Sequence, residues 1–204
     1  NKRLSFGNFN ILACDVDFEN PSYSKSIQSL DSKEKNEEFA RATSLALFDY
    51  LKKSKAKGFV LSLSGGADSS CCAILVSEMV RRASSELGWE KFCLSLGLSG
   101  LDNQKQAVAR LLTCAYQGTK NSSETTLMAA RELAISLGAE FHAWLVEEEV
   151  NSYRSKIEIV LNRSLTWEQD DITLQNIQAR SRSPIIWMLA NVKQSVLLTT
   201  SNRS

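Results

Sequence analysis

The sequence predicts an α/β protein with a doubly wound parallel sheet flanked by helices. Four short apolar runs, at 59–63, 111–116, 141–146 and 195–200, are typical of buried strands. Segments with helical spacing separate these runs, and strands that alternate with helices favour right-handed crossovers onto one parallel sheet. Ligands of such sheets bind beyond the carboxyl ends of the strands, which is where we expect the functional residues.

The helices are predicted from apolar spacing and from their end signals. The first begins near Asn36 and ends before Gly58, with a stripe made of Phe39, Ala42, Leu45, Phe48 and Leu51. Further helices are expected over 69–87, 148–161 and 172–192, and over 121–138, where NSSE resembles a capping box. Pro184 is expected to kink the last helix or to shift its start. The region 89–109 is ambiguous, although NQKQAVAR favours a helix.

Composition excludes some classes of function. The 24 basic and 23 acidic residues nearly balance, so bulk charge does not indicate a nucleic-acid partner, although a local basic site stays open. No apolar run approaches the ~18 residues of a membrane helix, so we expect no membrane partner. The five cysteines are odd in number and fit neither a zinc site nor a redox pair, which favours reduced, structural cysteines in a cytoplasmic protein.

The segment LSLSGGADSS, residues 61–70, carries the clearest chemical signal. A strand, a glycine-rich turn and a helix start form an anion-binding arrangement, because amides at a helix N-terminus lack partners and the helix dipole favours negative charge. The lysine of a Walker loop is absent, and Asp68 stands there instead. A carboxylate beside a polyphosphate requires a bridging cation, for which Mg²⁺ is suited. The alternative is that Asp68 only caps the helix.

Four segments together resemble one enzyme family. SGGADSS resembles the SGGxDS loop of the N-type ATP pyrophosphatases, which have the adenine nucleotide alpha hydrolase-like fold. YQGTKNSSETT at 116–126, LQNIQARSRSPIIWMLAN at 174–191 and LLTTSNRS at 197–204 resemble segments of NAD synthetases, in the same order. The loop alone is shared with GMP synthetase and tRNA-modifying enzymes, whereas the combination resembles the glutamine-dependent branch of the NAD synthetases.

The resemblance implies substrates and site residues. ATP is expected at residues of the loop and of the last strand, with Asp68 near Mg²⁺, and deamido-NAD is expected at the last helix. Arg180 offers a planar fork for phosphate or carboxylate, while Arg182, two residues later, points about 200° away on a helix. The implied ATP contacts are Ser62, Leu63, Ser64, Gly65, Gly66, Ala67, Asp68, Ser69 and Thr200, and the implied deamido-NAD contacts are Asn176 and Arg180.

The resemblance also implies a reaction and a domain arrangement. ATP adenylates deamido-NAD, releasing pyrophosphate, and ammonia, supplied directly or from glutamine by an amidase domain, then gives NAD and AMP. Residues 1–33 are interpreted as a linker or the tail of that amidase domain, and 34–204 as the ATP pyrophosphatase domain, truncated before a substrate-contacting glutamate of the family. Ser201 replaces a glycine of the family segment. A homodimer is expected. The alternatives are another SGGxDS enzyme, such as GMP synthetase, or a non-catalytic nucleotide-binding fragment.

Four features are interpreted as structural. His142 is expected to have a structural role on its strand, Cys71 and Cys72 are expected to be small buried packing groups, and Glu147–Glu149 are expected to form an acidic first helical turn. Trp187 is expected in the core or in a dimer interface. None of these residues is assigned to catalysis.

Overall fold

The computed structural model describes residues 5–7 and 32–200, with side chains described from residue 34 onward in the longer segment. Cys14, Ser201 and most of the predicted linker lie outside these residues. The elements in chain order are α1 (Ser32–Ser54), β1 (Phe59–Ser62), α2 (Ala67–Leu87), α3 (Trp89–Leu96), α4 (Gln104–Leu111), β2 (Leu112–Gly118), α5 (Glu124–Leu137), β3 (Glu140–Leu145), α6 (Glu147–Leu161), α7 (Asp171–Val192) and β4 (Val196–Leu198).

The four strands form one parallel sheet in the order β3-β2-β1-β4. Phe59 at the start of β1 pairs with Leu112 of β2 and with Val196 of β4. Parallel pairing brings all four carboxyl ends to one edge of the sheet, and β1 lies inside it with a neighbour on each side. The predicted α/β fold with a parallel sheet is therefore confirmed.

Helices cover both faces of the sheet, as its strand patterning requires. Phe59, Leu61 and Leu63 belong to one apolar cluster, together with α1, α2 and α3, whereas Val60 belongs to a second. Successive strand residues point to opposite faces, so one short run serves two cores. The second cluster joins Val60 to Ala115 of β2 and to Ile186 and Ala190 of α7. This packing fixes α7 against the centre of the sheet.

The apolar stripe predicted on α1 is wrong in its amino-terminal half. Phe39 is 61% exposed, and Ala42 is exposed as well. The face turned toward α2 instead follows Glu37, Arg41, Ser44, Phe48 and Leu51 at steps of three and four residues. Its first part pairs with charged residues of α2, since Arg82 Nη1 lies 2.6 Å from Glu37 Oε1 and Arg41 Nη2 lies 3.5 Å from Glu86 Oε2. Ion pairs replace apolar contact there, so the hydrophobic pattern could not reveal the face.

One predicted helix end changes, and another agrees with the prediction. The cap of α5 is Ser123, whose Oγ accepts from the amide of Thr126 at 3.2 Å, rather than the Asn121 of the predicted capping box. Ser122 is used in the preceding turn, where its Oγ accepts from the amide of Thr119 at 2.9 Å. Pro184 lies inside α7 and does not shift its start, which remains within one residue of the prediction. Within 32–200, every helix is too short or too polar to cross a membrane.

Candidate active site at the carboxyl edge of the sheet

The loop from Ser62 to Ser69 leaves the carboxyl end of β1 and leads directly into α2. β1 lies between β2 and β4. After β1 the chain adds β2 and β3 on one side of it, and it then crosses to the other side to add β4. The loop is therefore at the point in the sheet where the strand order reverses. Crevices at such points are the usual ligand sites of doubly wound sheets.

The start of α2 leaves backbone amides available to a ligand. Gly66 is the N-cap, with an extended backbone and no side-chain capping bond. The first helical hydrogen bond is donated by the amide of Ser70 to the carbonyl of Gly66, at 3.1 Å. The amides of Ala67, Asp68 and Ser69 precede this bond, so they belong to the orphan donors that bind anions at helix N-termini. Because the cap is Gly66, Asp68 does not have the capping role that was its alternative.

Gly65 is required by both conformation and space. Its φ is +81°, in the region that L-residues rarely adopt, and a Cβ there would lie 2.4 Å from the backbone oxygen of Thr126. The loop therefore passes directly over the first turn of α5. Replacement of Gly65 would push the two segments apart and displace the amides that follow.

Serine hydroxyls hold the loop in shape. Ser69 Oγ accepts from the amide of Ser64 at 3.2 Å, and the two hydroxyls lie 3.1 Å apart. Ser64 Oγ also accepts from the amide of Gly66 at 3.3 Å. These bonds within the chain hold the backbone of the loop, and they thereby orient its free amides.

Two cavities flank the loop. The β1–β4 cavity, of about 250 Å³, lies between the end of β1, α7 and the residues after β4. The β1–β2 cavity, of about 450 Å³, lies between the end of β1 and the start of α5. Both contain many hydroxyl groups, which suit phosphate and ribose oxygens. The residues shared by the two cavities are Ser62, Ser64, Gln117 and Arg182.

Arg182 is the one residue with a formal charge among the described residues that line these two cavities. Its Nε donates to the carbonyl of Gln117 at 2.9 Å and its Nη1 donates to the carbonyl of Gln178 at 3.2 Å. Gln117 is 6% exposed, and its Nε2 donates to Ser62 Oγ at 3.1 Å. The Oε1 of Gln117 is buried and lacks a partner within the described part of the chain. The site thus holds a fixed cation and an unsatisfied acceptor.

The structure brings together only part of the predicted site. Ser62, Ser64, Ser69 and Thr200 line the β1–β4 cavity. Asp68 is exposed in the first turn of α2 and lines neither cavity, and the same is true of Asn176 and Arg180 on α7. The assignment of every predicted site residue to ATP, deamido-NAD or magnesium stays a prediction.

Sequence reasoning missed Arg182 as a site residue. The resemblance singled out Arg180, and helical geometry separated the two arginines without showing which one faces the sheet. A usable signal was the spacing to Ile186 and Ala190, which follow Arg182 at steps of four and pack on the sheet. Arg182 therefore extends the buried face of α7 past the edge of the core.

The features interpreted as structural have mixed outcomes. Cys71 is exposed, which contradicts its predicted burial, whereas Cys72 is half-buried and packs against the core. Glu147–Glu149 do form the first turn of α6. Trp187 is 60% exposed, so it does not belong to the core. His142 lies on β3 with its Nε2 2.9 Å from Glu140 Oε1, away from the loop. Among 5–7 and 32–200, no three potential metal ligands cluster.

A parallel sheet with a glycine-rich loop and a helix start at its strand reversal defines this chain as an α/β protein of the adenine nucleotide hydrolase-like fold. Residues 39–204 match the family model described as NAD synthase. The chain therefore belongs to the NAD synthase family.

Individual relatives agree with this assignment. The chain is 30% identical over 171 residues to the glutamine-dependent NAD(+) synthetase of Arabidopsis thaliana, covering 76% of this chain and 24% of that protein. It is 33% identical to the enzyme of the same name from Oryza sativa subsp. indica, covering 76% and 23%. A crystal structure of a glutamine-dependent NAD(+) synthetase from Cytophaga hutchinsonii superposes with a TM-score of 0.80 at 54% identity, over 83% of this chain and 31% of that chain. The chain thus spans about a quarter of the length of the curated relatives it matches.

Proposed function

We propose that this chain carries the ATP-dependent amidation of deamido-NAD to NAD, with release of AMP and pyrophosphate. The observation that supports this most is the glycine-serine loop, whose oriented amides lie at the strand reversal of a member of the NAD synthase family. The proposal concerns the whole protein, because the glutamine-dependent NAD(+) synthetase of Arabidopsis thaliana is about four times as long as the segment that matches this chain.

The reaction has two steps. A carboxylate oxygen of deamido-NAD attacks the α-phosphorus of ATP, and the bond to the bridging oxygen breaks with its electron pair leaving on pyrophosphate. Ammonia then attacks the activated carbonyl carbon, AMP departs with the electron pair of the broken C–O bond, and the nitrogen loses a proton. The first step gives the carboxylate a good leaving group. The protein has to position the two substrates and to stabilise phosphate charge.

The loop is suited to hold the triphosphate. The amides of Ala67, Asp68 and Ser69 precede the first helical hydrogen bond of α2, and Gly66, which is exposed and has no Cβ, lets phosphate oxygens approach the backbone closely. Thr200, beside the loop, would contact the nucleotide as the family resemblance implies. The serine hydroxyls would keep this backbone in place during the reaction.

Asp68 fits a magnesium ion that is shared with ATP. Mg²⁺ takes one or two carboxylates together with phosphate oxygens, and a single exposed carboxylate in the first turn of α2 meets that need without an all-protein cage. Magnesium would supply charge neutralisation for the triphosphate, and Asp68 would hold it next to the free amides.

Deamido-NAD would contact Asn176 and Arg180, which are both exposed on α7. Their exposure supports a substrate site completed by a second copy of the chain, in a homodimer. Trp187 on the same helix, at 60% exposure, is available for that contact. We further propose that ammonia comes from glutamine through an amidase domain and that the protein is cytoplasmic.

Substrate competition tests the function. The intact natural protein is given ATP and magnesium with deamido-NAD, XMP or tRNA, and with ammonium chloride or glutamine, and AMP and the amidated product are measured by chromatography. Of the three candidate substrates, we expect only deamido-NAD to give AMP, together with NAD as the amidated product. Release of AMP with XMP only would show another SGGxDS enzyme, and binding of ATP without AMP release in every mixture would show a non-catalytic domain.

Calorimetry tests the role of Asp68. ATP is titrated into the natural protein and into the Asp68→Asn variant, with and without magnesium. We expect the magnesium-dependent part of the affinity to fall at least about tenfold in the variant, because the carboxylate bridges to the ion. Equal magnesium dependence in the two proteins would remove Asp68 from the metal site.

A further inference from the structure

We propose that Arg182 contacts the phosphate oxygens of the nucleotide and supplies the cation that the 62–69 loop lacks. Neither the family resemblance nor the loop sequence assigns this residue. The ligand class follows from the site itself, while its identity as ATP rests on the proposed function.

The formal charge on the lining of the two cavities is one-sided. Arg182 lines both cavities, and their other described lining residues are neutral. The ion pairs described for 32–200 give Arg182 no carboxylate partner. A partly buried guanidinium whose protein partners are neutral carbonyls favours an anionic ligand, since a carboxylate or phosphate gives it charge-assisted hydrogen bonds.

The guanidinium is oriented by hydrogen bonds to the chain itself. Nε is held by a carbonyl at the end of β2 and Nη1 by a carbonyl one turn back on α7. Nη2 takes part in none of the hydrogen bonds described for 32–200. Two anchored nitrogens leave the third to a ligand, and a fork fixed in this way loses little entropy when it binds phosphate.

Gln117 connects this arginine to the loop. Its backbone oxygen accepts a hydrogen bond from Arg182 Nε, while its side-chain Nε2 donates one to Ser62 Oγ at 3.1 Å. A single residue therefore sets the distance between the cation and the first residue of the loop. The cation approaches from α7, on the opposite side of the sheet end from the helix start of α2.

This position suits the first chemical step. When the bond between the α-phosphorus and the bridging oxygen breaks, negative charge accumulates on the departing pyrophosphate and on the non-bridging oxygens. A guanidinium fixed beside the loop stabilises this charge without reorganising, which is the condition for a large electrostatic contribution. The loop amides alone supply only partial positive charge.

A binding measurement tests the contact independently of turnover. Sodium pyrophosphate with magnesium chloride is added to the intact natural protein and to Arg182→Gln, Arg182→Lys and Arg110→Gln, and thermal unfolding is followed. Arg110 is an exposed arginine on α4, before the amino end of β2, so Arg110→Gln removes the same charge elsewhere. We expect pyrophosphate to raise the unfolding temperature of the natural protein and of Arg110→Gln. The rise should be at least halved in Arg182→Gln and partly restored in Arg182→Lys.

Kinetics and chemical protection complete the test. We expect kcat/KM for AMP release to fall by roughly 10²–10³ in Arg182→Gln, the range seen when one preorganised donor is removed. If the Arg182 variants fail to fold, phenylglyoxal is applied to the natural protein and modified arginines are mapped by mass spectrometry. Magnesium pyrophosphate should protect Arg182 and leave Arg110 reactive.

The outcomes separate this inference from the proposed function. A natural protein that is stabilised by pyrophosphate through Arg182 but releases no AMP with deamido-NAD would overturn the function and leave the phosphate contact standing. A natural protein that makes NAD while Arg182→Gln keeps its pyrophosphate response, or while Arg182 is modified equally with and without pyrophosphate, would overturn the contact alone. No pyrophosphate response in the natural protein would also overturn it.

Discussion

Two polar sites at opposite ends of the sheet, around Glu140 and around Arg182, differ in how their groups are paired. At the amino end, Glu140 on β3 accepts hydrogen bonds from Lys193 and from Thr113 Oγ1, the latter at 2.8 Å, and His142 lies beside it. At the carboxyl end, Arg182 has only neutral carbonyl partners among the described residues, and Gln117 Oε1 has none. Glu140 is paired with a cation of the same chain, whereas the Arg182 site contains an acceptor without a partner among the described residues.

This difference distinguishes polar groups that stabilise the fold from polar groups that are available to bind a ligand. Burial alone would raise the pKa of Glu140, but hydrogen bonds from Lys193, Thr113 and His142 lower it to about 2. Such a shift at the amino end indicates a structural ion pair, although shifted carboxyls often mark active sites. At the carboxyl end the informative observation is a missing partner, because buried polar groups are normally hydrogen-bonded.

The largest effect is expected at Gly65, because the loop around it packs closely against the first turn of α5. Gly65→Ala should destabilise the protein by about 3 kcal/mol and abolish ATP binding, because the Cβ would meet the Thr126 carbonyl at 2.4 Å. The unfolding temperature should fall by roughly 6–12 °C.

Gly97→Ala is the matched control for Gly65. Gly97 also has a positive φ, +64°, but a Cβ there meets nothing within 4 Å. It should cost about 1 kcal/mol through backbone strain alone and leave ATP binding intact. Equal losses in the two variants would mean that the close approach does not matter.

A pair of substitutions on β2 tests the contrast directly. Gln117→Leu should lower kcat/KM for AMP release about tenfold, as Ser62 loses its donor, and shift the unfolding temperature by less than about 2 °C, because an unsatisfied buried acceptor is removed as well. Thr113→Val should do the reverse, costing about 1 kcal/mol of stability with unchanged kinetics, because it removes a bond to Glu140. Both are measured by thermal unfolding and AMP release. If the two substitutions had the same effects on stability and activity, the proposed distinction between the Glu140 site and the Arg182 site would be wrong.

The smallest expected effect is the pH dependence of the amino end. The pKa of Glu140 is lower in the folded protein, about 2 against 4.5, so its contribution to stability is present above pH 4.5 and is lost as the pH falls toward 2. The side chain is 38% exposed, and solvent screening reduces the contribution to about 1 kcal/mol. Urea unfolding of natural protein and Glu140→Gln should differ at pH 6 and converge near pH 2.

Asp49→Asn serves as the control for this pH series. Asp49 Oδ2 lies 3.4 Å from Lys53 Nζ in an exposed pair on α1. An exposed pair of this kind contributes little to stability, so we expect no comparable convergence with pH. A constant difference between natural protein and Glu140→Gln across the pH range would contradict the role of Glu140.

The sequence by itself determined the class of fold, most element bounds and the place of the glycine-serine loop between β1 and α2. Alternating helix and strand periods are local properties, and the glycines and serines of the loop are adjacent in the chain. Even the two-faced character of β1 follows from a run of apolar residues without polar interruption before Ser62.

Only the tertiary structure decided which face of each helix is used. Local spacing gives the angle between Arg180 and Arg182, but packing of Ile186 and Ala190 on Val60 and Ala115 sets which arginine reaches the loop. The same holds for α1, where ion pairs with Arg82 and Glu86 selected a face that apolar spacing did not mark. Contacts between residues far apart in sequence fix the rotation of each helix about its own axis, because an isolated helix has no neighbour toward which one face must turn.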